Sequence, residues 1–149
     1  MRSKLLHQAG GQRIFAVVLA SGDEVMSCLQ HFVAEHSITA AQLTGIGAFS
    51  SAVLRYFDWD SRNYIDIPVN EQVEVASLTG DVALDESGAA ALHIHLVLGK
   101  RDGTALAGHL KSGDVRPTLE IILQEVPAHL RKRFDPDSGL SLIDPGLTE

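Results

Sequence analysis

The clearest hydrophobic pattern of the chain lies between Leu92 and Leu110, where apolar and polar residues alternate and histidines occupy part of the polar set. Successive side chains of a β-strand point to opposite faces. The apolar residues at even positions from Leu92 to Leu98 therefore share one face, while His93 and His95 share the other. The pattern predicts a half-buried strand with two imidazoles on its polar side.

The dipeptide Asp102-Gly103 predicts a hairpin turn after this strand. A two-residue loop would pair Arg101 with Thr104 and turn His109 toward the leucine face, and such a slip exposes an apolar set. A three-residue loop, with its glycine in the left-handed conformation, pairs Lys100 with Thr104 instead. We favour the three-residue loop because it keeps the apolar side chains of both strands on one face.

In this register His109 lies directly opposite His95, and the Cβ atoms of such a pair are ~4.5 to 5.5 Å apart. Two imidazoles at that distance can share a metal ion at ~2.0 to 2.1 Å from each nitrogen. His93, His95 and His109 are therefore candidate metal ligands. Two alternatives stay open: imidazoles that are solvated or hydrogen-bonded on a sheet face, and imidazoles that act as general acids or bases.

The remaining pattern contains many strands and one clear helix. Apolar residues recur at helical spacing from Val25 to Val33, after a capping box formed by Ser21 and Glu24. Apolar or alternating runs predict further strands over 12–20, 53–59, 64–69, 71–84 and 116–126. Gly80 is expected to break the fourth of these. Strands adjacent in sequence predict an α+β fold: a mostly antiparallel β-sheet with one or two packed α-helices in a single domain.

The segment Gly45-Ile46-Gly47-Ala48 begins like a nucleotide-binding glycine motif. The third glycine and the helix that should follow are missing, so phosphate binding is not predicted. The glycines instead predict a tight bend or a close backbone approach that only glycine tolerates.

Glu120 is a carboxylate flanked by Leu119 and Ile121 in the last predicted strand. A charge in so apolar a strand must face outward or find a partner. Glu120 is therefore a candidate further metal ligand, a candidate hydrogen-bond partner of a ligating histidine, or the general base if the protein is an enzyme. A solvated edge position is the alternative.

Three aromatic residues, Tyr56, Phe57 and Trp59, cluster near the end of another predicted strand. We expect them in the core or at a subunit interface. Stacking on nucleic-acid bases is disfavoured, because only Arg55 and Arg62 lie nearby to hold phosphate.

The 149-residue chain has a formal net charge of −7 at pH 7. DNA binding relies on clustered Lys and Arg, so this charge argues against a domain that lies along DNA. The local basic cluster is Arg131-Lys132-Arg133, which is expected at a solvated helix end before a Pro/Gly/Asp-rich tail over 134–149.

A cytoplasmic location is the default expectation. No run approaches the ~18 apolar residues of a membrane span, and the apolar centre of the first eleven residues is too short for a secretory signal. Cys28 is the single cysteine, which excludes an internal disulfide framework. It falls in the predicted helix, where we expect a reduced, partly buried thiol.

Seven short motifs occur along the chain: SGDEV at 21–25, GIGA at 45–48, YFD at 56–58, EVASLTG at 74–80, HIHLVLG at 93–99, AGHL at 107–110 and TLE at 118–120. Each is weak alone, but their order and spacing together are specific. They resemble the PPC domain, the "plants and prokaryotes conserved" domain, over a core of about residues 12–142.

The resemblance implies an antiparallel-sheet α+β fold that assembles as a homotrimer. It also implies that His93, His95 and His109 match the histidine cluster of the family, which has the features of a metal site in some prokaryotic members, with zinc as the expected ion. In land plants the domain follows an AT-hook that enters the DNA minor groove, and such proteins regulate transcription. This sequence has no Arg-Gly-Arg-Pro-like hook, and Gln72 and Val73 replace an Arg and a Phe of the plant partner-recruiting strand.

These features favour a trimeric binding or regulatory module with a three-histidine zinc site and with DNA or a small molecule as its ligand. The alternative is a small metal-dependent enzyme or metabolite-binding protein, because three histidines leave the fourth position of zinc for water or substrate. Against the enzyme, the sequence offers no convincing nucleophile. A scaffold with structural histidines is the third possibility.

Overall fold

The computed structural model describes residues 1–147 and contains one α-helix and nine β-strands in that range. The elements are β1 Arg2–Ala9, β2 Gln12–Ala20, α1 Val25–Glu35, β3 Ala41–Asp58, β4 Asn63–Val69, β5 Val73–Leu84, β6 Ala90–Gly99, β7 Ala105–Glu125, β8 Lys132–Asp135 and β9 Leu140–Ile143. All pairings between these strands are antiparallel. The predicted α+β class is confirmed, with a single helix. Within the described residues, no helix is long and apolar enough to span a membrane.

The main sheet has seven strands in the order β1-β2-β7-β6-β5-β3-β4, and β7 also pairs with β3. Because of this extra pairing, β3, β5, β6 and β7 form a closed circuit of hydrogen-bonded neighbours. Both β3, with 18 residues, and β7, with 21, are longer than any predicted strand. The segments 53–59 and 116–126, predicted as separate strands, belong to these two long strands.

Helix α1 begins later than the capping box predicts. Glu24, not Ser21, caps the helix, and its carboxylate accepts hydrogen bonds from the backbone N–H groups of Met26, at 3.1 Å, and Ser27, at 2.7 Å. Ser21 lies in the preceding turn, where Gly22 has a φ of 89°. The helix then buries an apolar stripe against the sheet, and Cys28 is half-buried within it, as predicted.

Two glycines mark places where neighbouring strands approach closely. A Cβ atom on Gly47 would overlap the carbonyl oxygen of Thr118 in β7, so the predicted close approach at this motif is confirmed. A Cβ atom on Gly80 would overlap the carbonyl oxygen of His93 in β6. The predicted break at Gly80 was wrong, because β5 continues through it and the glycine instead brings β5 and β6 together.

The C-terminal region forms a second, two-stranded sheet of β8 and β9. The prediction that Arg131-Lys132-Arg133 ends a helix was wrong, because these residues lead into β8, whose Lys132 pairs with Ile143 of β9. The turn is closed by Asp135, whose carboxylate accepts from the hydroxyl of Ser138 at 2.6 Å. The predicted tail thus contains a hairpin in its described part, while 148 and 149 lie outside the described residues.

Candidate metal centre

The hairpin of β6 and β7 has the predicted three-residue loop. The N–H of Lys100 donates to the carbonyl of Thr104 at 2.8 Å, and Gly103 has a φ of 84°. His95 of β6 lies directly opposite His109 of β7. The register derived from the alternating pattern is therefore confirmed.

The three histidines of this hairpin converge on one side of the sheet. The Nε2 atoms of His93 and His95 are 3.1 Å apart, and each of the three rings places a nitrogen within 4.8 Å of the other two. Ring centroids are separated by 5.0 Å for His93–His95, 5.2 Å for His93–His109 and 5.4 Å for His95–His109. Two nitrogens on one tetrahedral zinc ion are about 3.4 Å apart. The cluster could therefore hold a metal ion after small side-chain rotations.

The protein environment favours the neutral form of two of these rings. Burial, and then the neighbouring His93 and His95 rings, lower the pKa of His109 from its ordinary 6.5 to about 4. Partial burial and His93 also lower the pKa of His95. A metal ion binds the lone pair of a neutral imidazole. His109 and His95 are thus available as ligands at neutral pH without loss of a proton from a charged ring.

One buried atom of the cluster also fits a metal site. Nδ1 of His109 is buried and makes no hydrogen bond to the protein. Buried polar atoms are normally satisfied, and a metal-ligating histidine usually has its second nitrogen hydrogen-bonded to protein or water. Either direct coordination or a water held near the ion would satisfy Nδ1. Three neutral imidazoles are also the donor set of open, three-ligand zinc sites.

The cluster lines a cleft of about 550 Å³ between the main sheet and the C-terminal hairpin. One wall carries the three histidines, and the opposite wall is formed by β9 and by Lys132 of β8. Its lining combines apolar residues such as Leu92 and Leu142 with polar ones such as Tyr64 and Asp81. A small organic molecule that reached the histidines would contact both sheets.

Three residues that sequence reasoning missed complete this site. Asp81 of β5 places its Oδ2 atom 3.2 Å from Nδ1 of His93. Tyr64 of β4 packs its ring 5.2 Å from that of His109. Lys132 has a side chain only 10% exposed and lies 3.9 Å from Asp81. A tight turn over 85–89 joins β5 to β6, and the register that it imposes places Asp81 directly opposite His93. Recognition of this turn in the sequence would have indicated Asp81 as a neighbour of the cluster.

Glu120 does not join the histidines. It lies eleven residues beyond His109 on the same strand, which corresponds to about 35 Å of extended chain. There it is exposed, pairs with Val18 of β2 and Ile46 of β3, and lines a different, shallow cleft. The prediction of Glu120 as a ligand, or as a partner of a ligating histidine, was therefore wrong, and the solvated alternative describes its position.

The other candidate residues are distributed over the surface. Tyr56 and Trp59 are 62% and 61% exposed, so they are not in the core of this chain. Two residues of the basic cluster face carboxylates: Arg133 pairs with Asp144 at 3.2 Å, and Lys132 lies 3.9 Å from Asp81. Nε of Arg131 is buried. These cations do not form a common phosphate-binding surface.

A closed antiparallel sheet, one packed helix and a three-histidine cluster on the β6–β7 hairpin define a small α+β domain with a potential metal site. The profile of the Plants and Prokaryotes Conserved domain, abbreviated PCC or PPC, matches residues 6–127. The chain belongs to this family.

Solved structures of similar proteins agree with the fold over nearly the whole chain. A plant- and prokaryote-conserved protein from Pyrococcus horikoshii is 27% identical, with a TM-score of 0.83, and the match covers 95% of this chain and all of the other. A metal-containing protein from Archaeoglobus fulgidus is 30% identical, with a TM-score of 0.82 and coverage of 96% and 99%. A candidate DNA-binding protein from Bacteroides thetaiotaomicron is 29% identical, with a TM-score of 0.83 and coverage of 93% and 94%.

One curated relative is a much larger protein. The bifunctional protein GlmU from Synechococcus sp. (strain JA-3-3Ab) is 26% identical in a match 133 residues long, which covers 87% of this chain. The chain spans about a fifth of the length of that relative.

Proposed function

We propose that this protein is a zinc-dependent binding module, in which His93, His95 and His109 hold the ion and the cleft admits a small-molecule ligand. The observation that carries the proposal is the convergence of three imidazole nitrogens within 4.8 Å of one another on the lining of that cleft. The metal content of the relative from Archaeoglobus fulgidus supports it. When bound, zinc would supply a Lewis-acidic position for an oxygen or nitrogen atom of the ligand.

Neighbouring residues orient His109 and line the cleft. Tyr64 packs against His109 and limits its ring rotation, and the guanidinium of Arg55 lies 5.6 Å from the centre of the Tyr64 ring. Residues of β9 close the opposite side of the cleft with apolar side chains such as Leu142. A ligand with a small apolar body and one polar end suits these walls.

Metal analysis of protein purified without a histidine tag tests the site. We expect one zinc per chain for the wild type and less than a tenth of that for His95→Ala. His31→Ala is the matched control, because His31 is exposed on α1 outside the cleft. A wild-type protein with no more metal than the His95 variant would refute the site, and a crystal structure with anomalous data at the zinc edge would locate the ion directly.

We also propose that the protein assembles as a homotrimer, as the family resemblance implies, and that it is located in the cytoplasm. Support comes from large apolar side chains on the surface of the single chain: Tyr56 and Ile65, 62% and 53% exposed, pair directly across β3 and β4. Burial of such a patch between subunits would be favourable. Light scattering at micromolar concentration should give about three times the chain mass of 16.0 kDa. A monomer would contradict the proposal.

DNA binding is the second candidate function. It is favoured by the description of the Bacteroides relative and opposed by the net charge of −7 and by the engaged basic cluster. A DNA titration at increasing salt tests for DNA binding, because a phosphate interface weakens steeply as salt rises. A salt-sensitive shift at micromolar protein would support DNA binding, and its absence would remove that function.

A metal-dependent enzyme that uses the same cluster is the alternative reading of the cleft. The open fourth position of a three-histidine site favours it. The displacement of Glu120 from the cluster removes the one general base that the sequence offered. Turnover of small esters and carboxylic acids by the zinc-loaded protein, measured against His95→Ala, would establish catalysis.

A further inference from the structure

The two nitrogens of His93 have different neighbours. Asp81 lies directly opposite His93 in the β5–β6 register, and its Oδ2 atom is 3.2 Å from Nδ1. The Nε2 atom instead faces Nε2 of His95 at 3.1 Å. One side of the ring therefore meets an acceptor, and the other side meets the rest of the cluster.

These neighbours determine where a neutral His93 ring carries its proton. A carboxylate can only accept hydrogen bonds, so Nδ1 must carry the proton in order to donate to Asp81. The lone pair is then on Nε2, which points to His95. We propose that Asp81 is a positioning residue that fixes His93 in the tautomer required for metal binding. The inference rests on the proposed zinc site, because the tautomer of His93 matters for function only when a metal ion binds that lone pair.

The same argument assigns the proton of His95 in the metal-free protein. Two neutral rings that face each other through Nε2 can form a hydrogen bond only if one of them donates. Since Asp81 leaves His93 with a lone pair, His95 must carry the proton on Nε2. His95 is exposed, so solvent can take this proton from Nε2 and return one to Nδ1, and the ring stays neutral with a lone pair on Nε2 for a metal ion.

The C-terminal hairpin contributes to this arrangement through Lys132. Its ammonium lies 3.9 Å from Oδ1 of Asp81, an atom that is buried and accepts no hydrogen bond. This distance is too long for a hydrogen bond but short enough for strong charge attraction at a site where Lys132 is 10% exposed. Lys132 thus holds Asp81 against His93 from the far wall of the cleft. The hairpin and the metal ligands are connected through one carboxylate.

Nitrogen-15 NMR of the imidazoles tests the tautomers directly, without metal. In the metal-free protein at pH 7.5, we expect His93 as the Nδ1–H tautomer and His95 as the Nε2–H tautomer. In Asp81→Asn the amide can either donate to Nδ1 or accept from it, so His93 should populate both tautomers. A wild-type His93 that is already Nε2–H, or a tautomer unchanged by the substitution, would overturn the inference.

Zinc titration of the same proteins measures the consequence. We expect Asp81→Asn to weaken zinc binding 10- to 100-fold, as removal of such partners does in other zinc sites. Lys132→Met should weaken it less, by about 3- to 10-fold, because it removes the support of Asp81 and not the hydrogen bond itself. Glu74→Gln is the matched control, since it neutralises an exposed carboxylate of β5 away from the cleft and should stay within twofold.

The outcomes separate this inference from the function on which it rests. If wild type and Asp81→Asn bind zinc equally, the positioning role is refuted while the metal site stands. If wild type binds no zinc, the proposed function fails, and the NMR result alone decides the tautomer. Asp81→Glu keeps the acceptor, and partial recovery of affinity in it would separate positioning from loss of folding.

Discussion

Arg13 of β2 and Glu125 of β7 form a two-point ion pair across the main sheet. The guanidinium donates through Nε to Glu125 and through Nη2 to the other carboxylate oxygen at 2.8 Å. Nη2 also donates to the carbonyl of His36 at 2.8 Å, just after α1 ends. One side chain therefore connects two strands and the C-terminal end of the helix.

Removal of this guanidinium should destabilise the fold. The Glu125 side chain is only 11% exposed, so Arg13→Met would leave a carboxylate and a carbonyl without a donor. A fully buried pair loses about 3 to 5 kcal/mol when one partner is removed, and we expect about 2 kcal/mol at this partly exposed one. Urea unfolding measures the change. Lys100→Met, which breaks an exposed pair with Glu71, should cost less than about 1 kcal/mol.

The β6–β7 hairpin could be predicted from the sequence because two independent signals agree there. Alternation from Leu92 to Leu98 determines which side chains share a face, and the turn at Asp102-Gly103 determines the pairing. Both are local and involve residues close in sequence. The convergence of His93 with the other two histidines follows from them.

The long strands could not be predicted in the same way. Polar pairs such as Ser50-Ser51 and Gly113-Asp114 interrupt the apolar pattern of β3 and β7. In the structure, β-bulges near Phe49 and Val53 let the strands continue past these residues. Glu120 was misplaced for the same reason, since its distance from His109 depends on β7 being one continuous strand.

Substitutions at Glu24 and Ser21 test which of the two residues caps helix α1 in solution. Its carboxylate accepts from the N–H groups of Met26 and Ser27, whereas Ser21 lies outside the helix. We expect Glu24→Ala to lower the free energy of unfolding by about 1 kcal/mol, the typical contribution of such a cap. Ser21→Ala should change it by less than about 0.5 kcal/mol. Equal effects of the two substitutions would indicate that the capping box forms in solution.

The cap also has a defined pH dependence. Burial alone would raise the pKa of Glu24, but hydrogen bonds from Ser27, Met26 and Gly113 together lower it below its ordinary 4.5. A lowered pKa in the folded state means that the contribution is complete above pH 4.5 and is lost as pH falls through the folded-state pKa. Comparison of unfolding at pH 7 and pH 3.5 should show a smaller loss in Glu24→Gln than in the wild type.

The substitution Gly47→Ala tests whether β3 and β7 need to approach each other closely at this position. Alanine at this position would place a Cβ atom against the backbone of Thr118 and Leu119, which cannot move independently of the sheet. We expect Gly47→Ala to cost about 3 kcal/mol or more by overpacking. Gly10→Ala is the control, because Gly10 has a φ of 57° but no atom near its Cβ position, so only about 1 kcal/mol of backbone strain applies. A small effect at Gly47 would show that the strands can separate locally.

Zinc affinity should depend on pH less steeply than three ordinary histidines would require. At pH 5.5, an imidazole with a pKa near 6.5 is about 90% protonated, so three such ligands would lose about 1000-fold in affinity relative to pH 7.5. Because the pKa of His109 is lowered to about 4, its ring stays neutral at pH 5.5. The expected loss of zinc affinity is therefore smaller by one factor of ten. The lowered pKa of His95 reduces the loss further.

We therefore expect a loss below about 100-fold between pH 7.5 and pH 5.5, measured by competition with a chelator of known proton affinity. A peptide that carries the same three histidines without the fold is the control, and it should approach the 1000-fold loss. Equal pH dependence of protein and peptide would mean that the fold does not suppress protonation of the cluster. In that case the partial burial of His109, whose ring packs against Tyr64, would have no influence on metal binding.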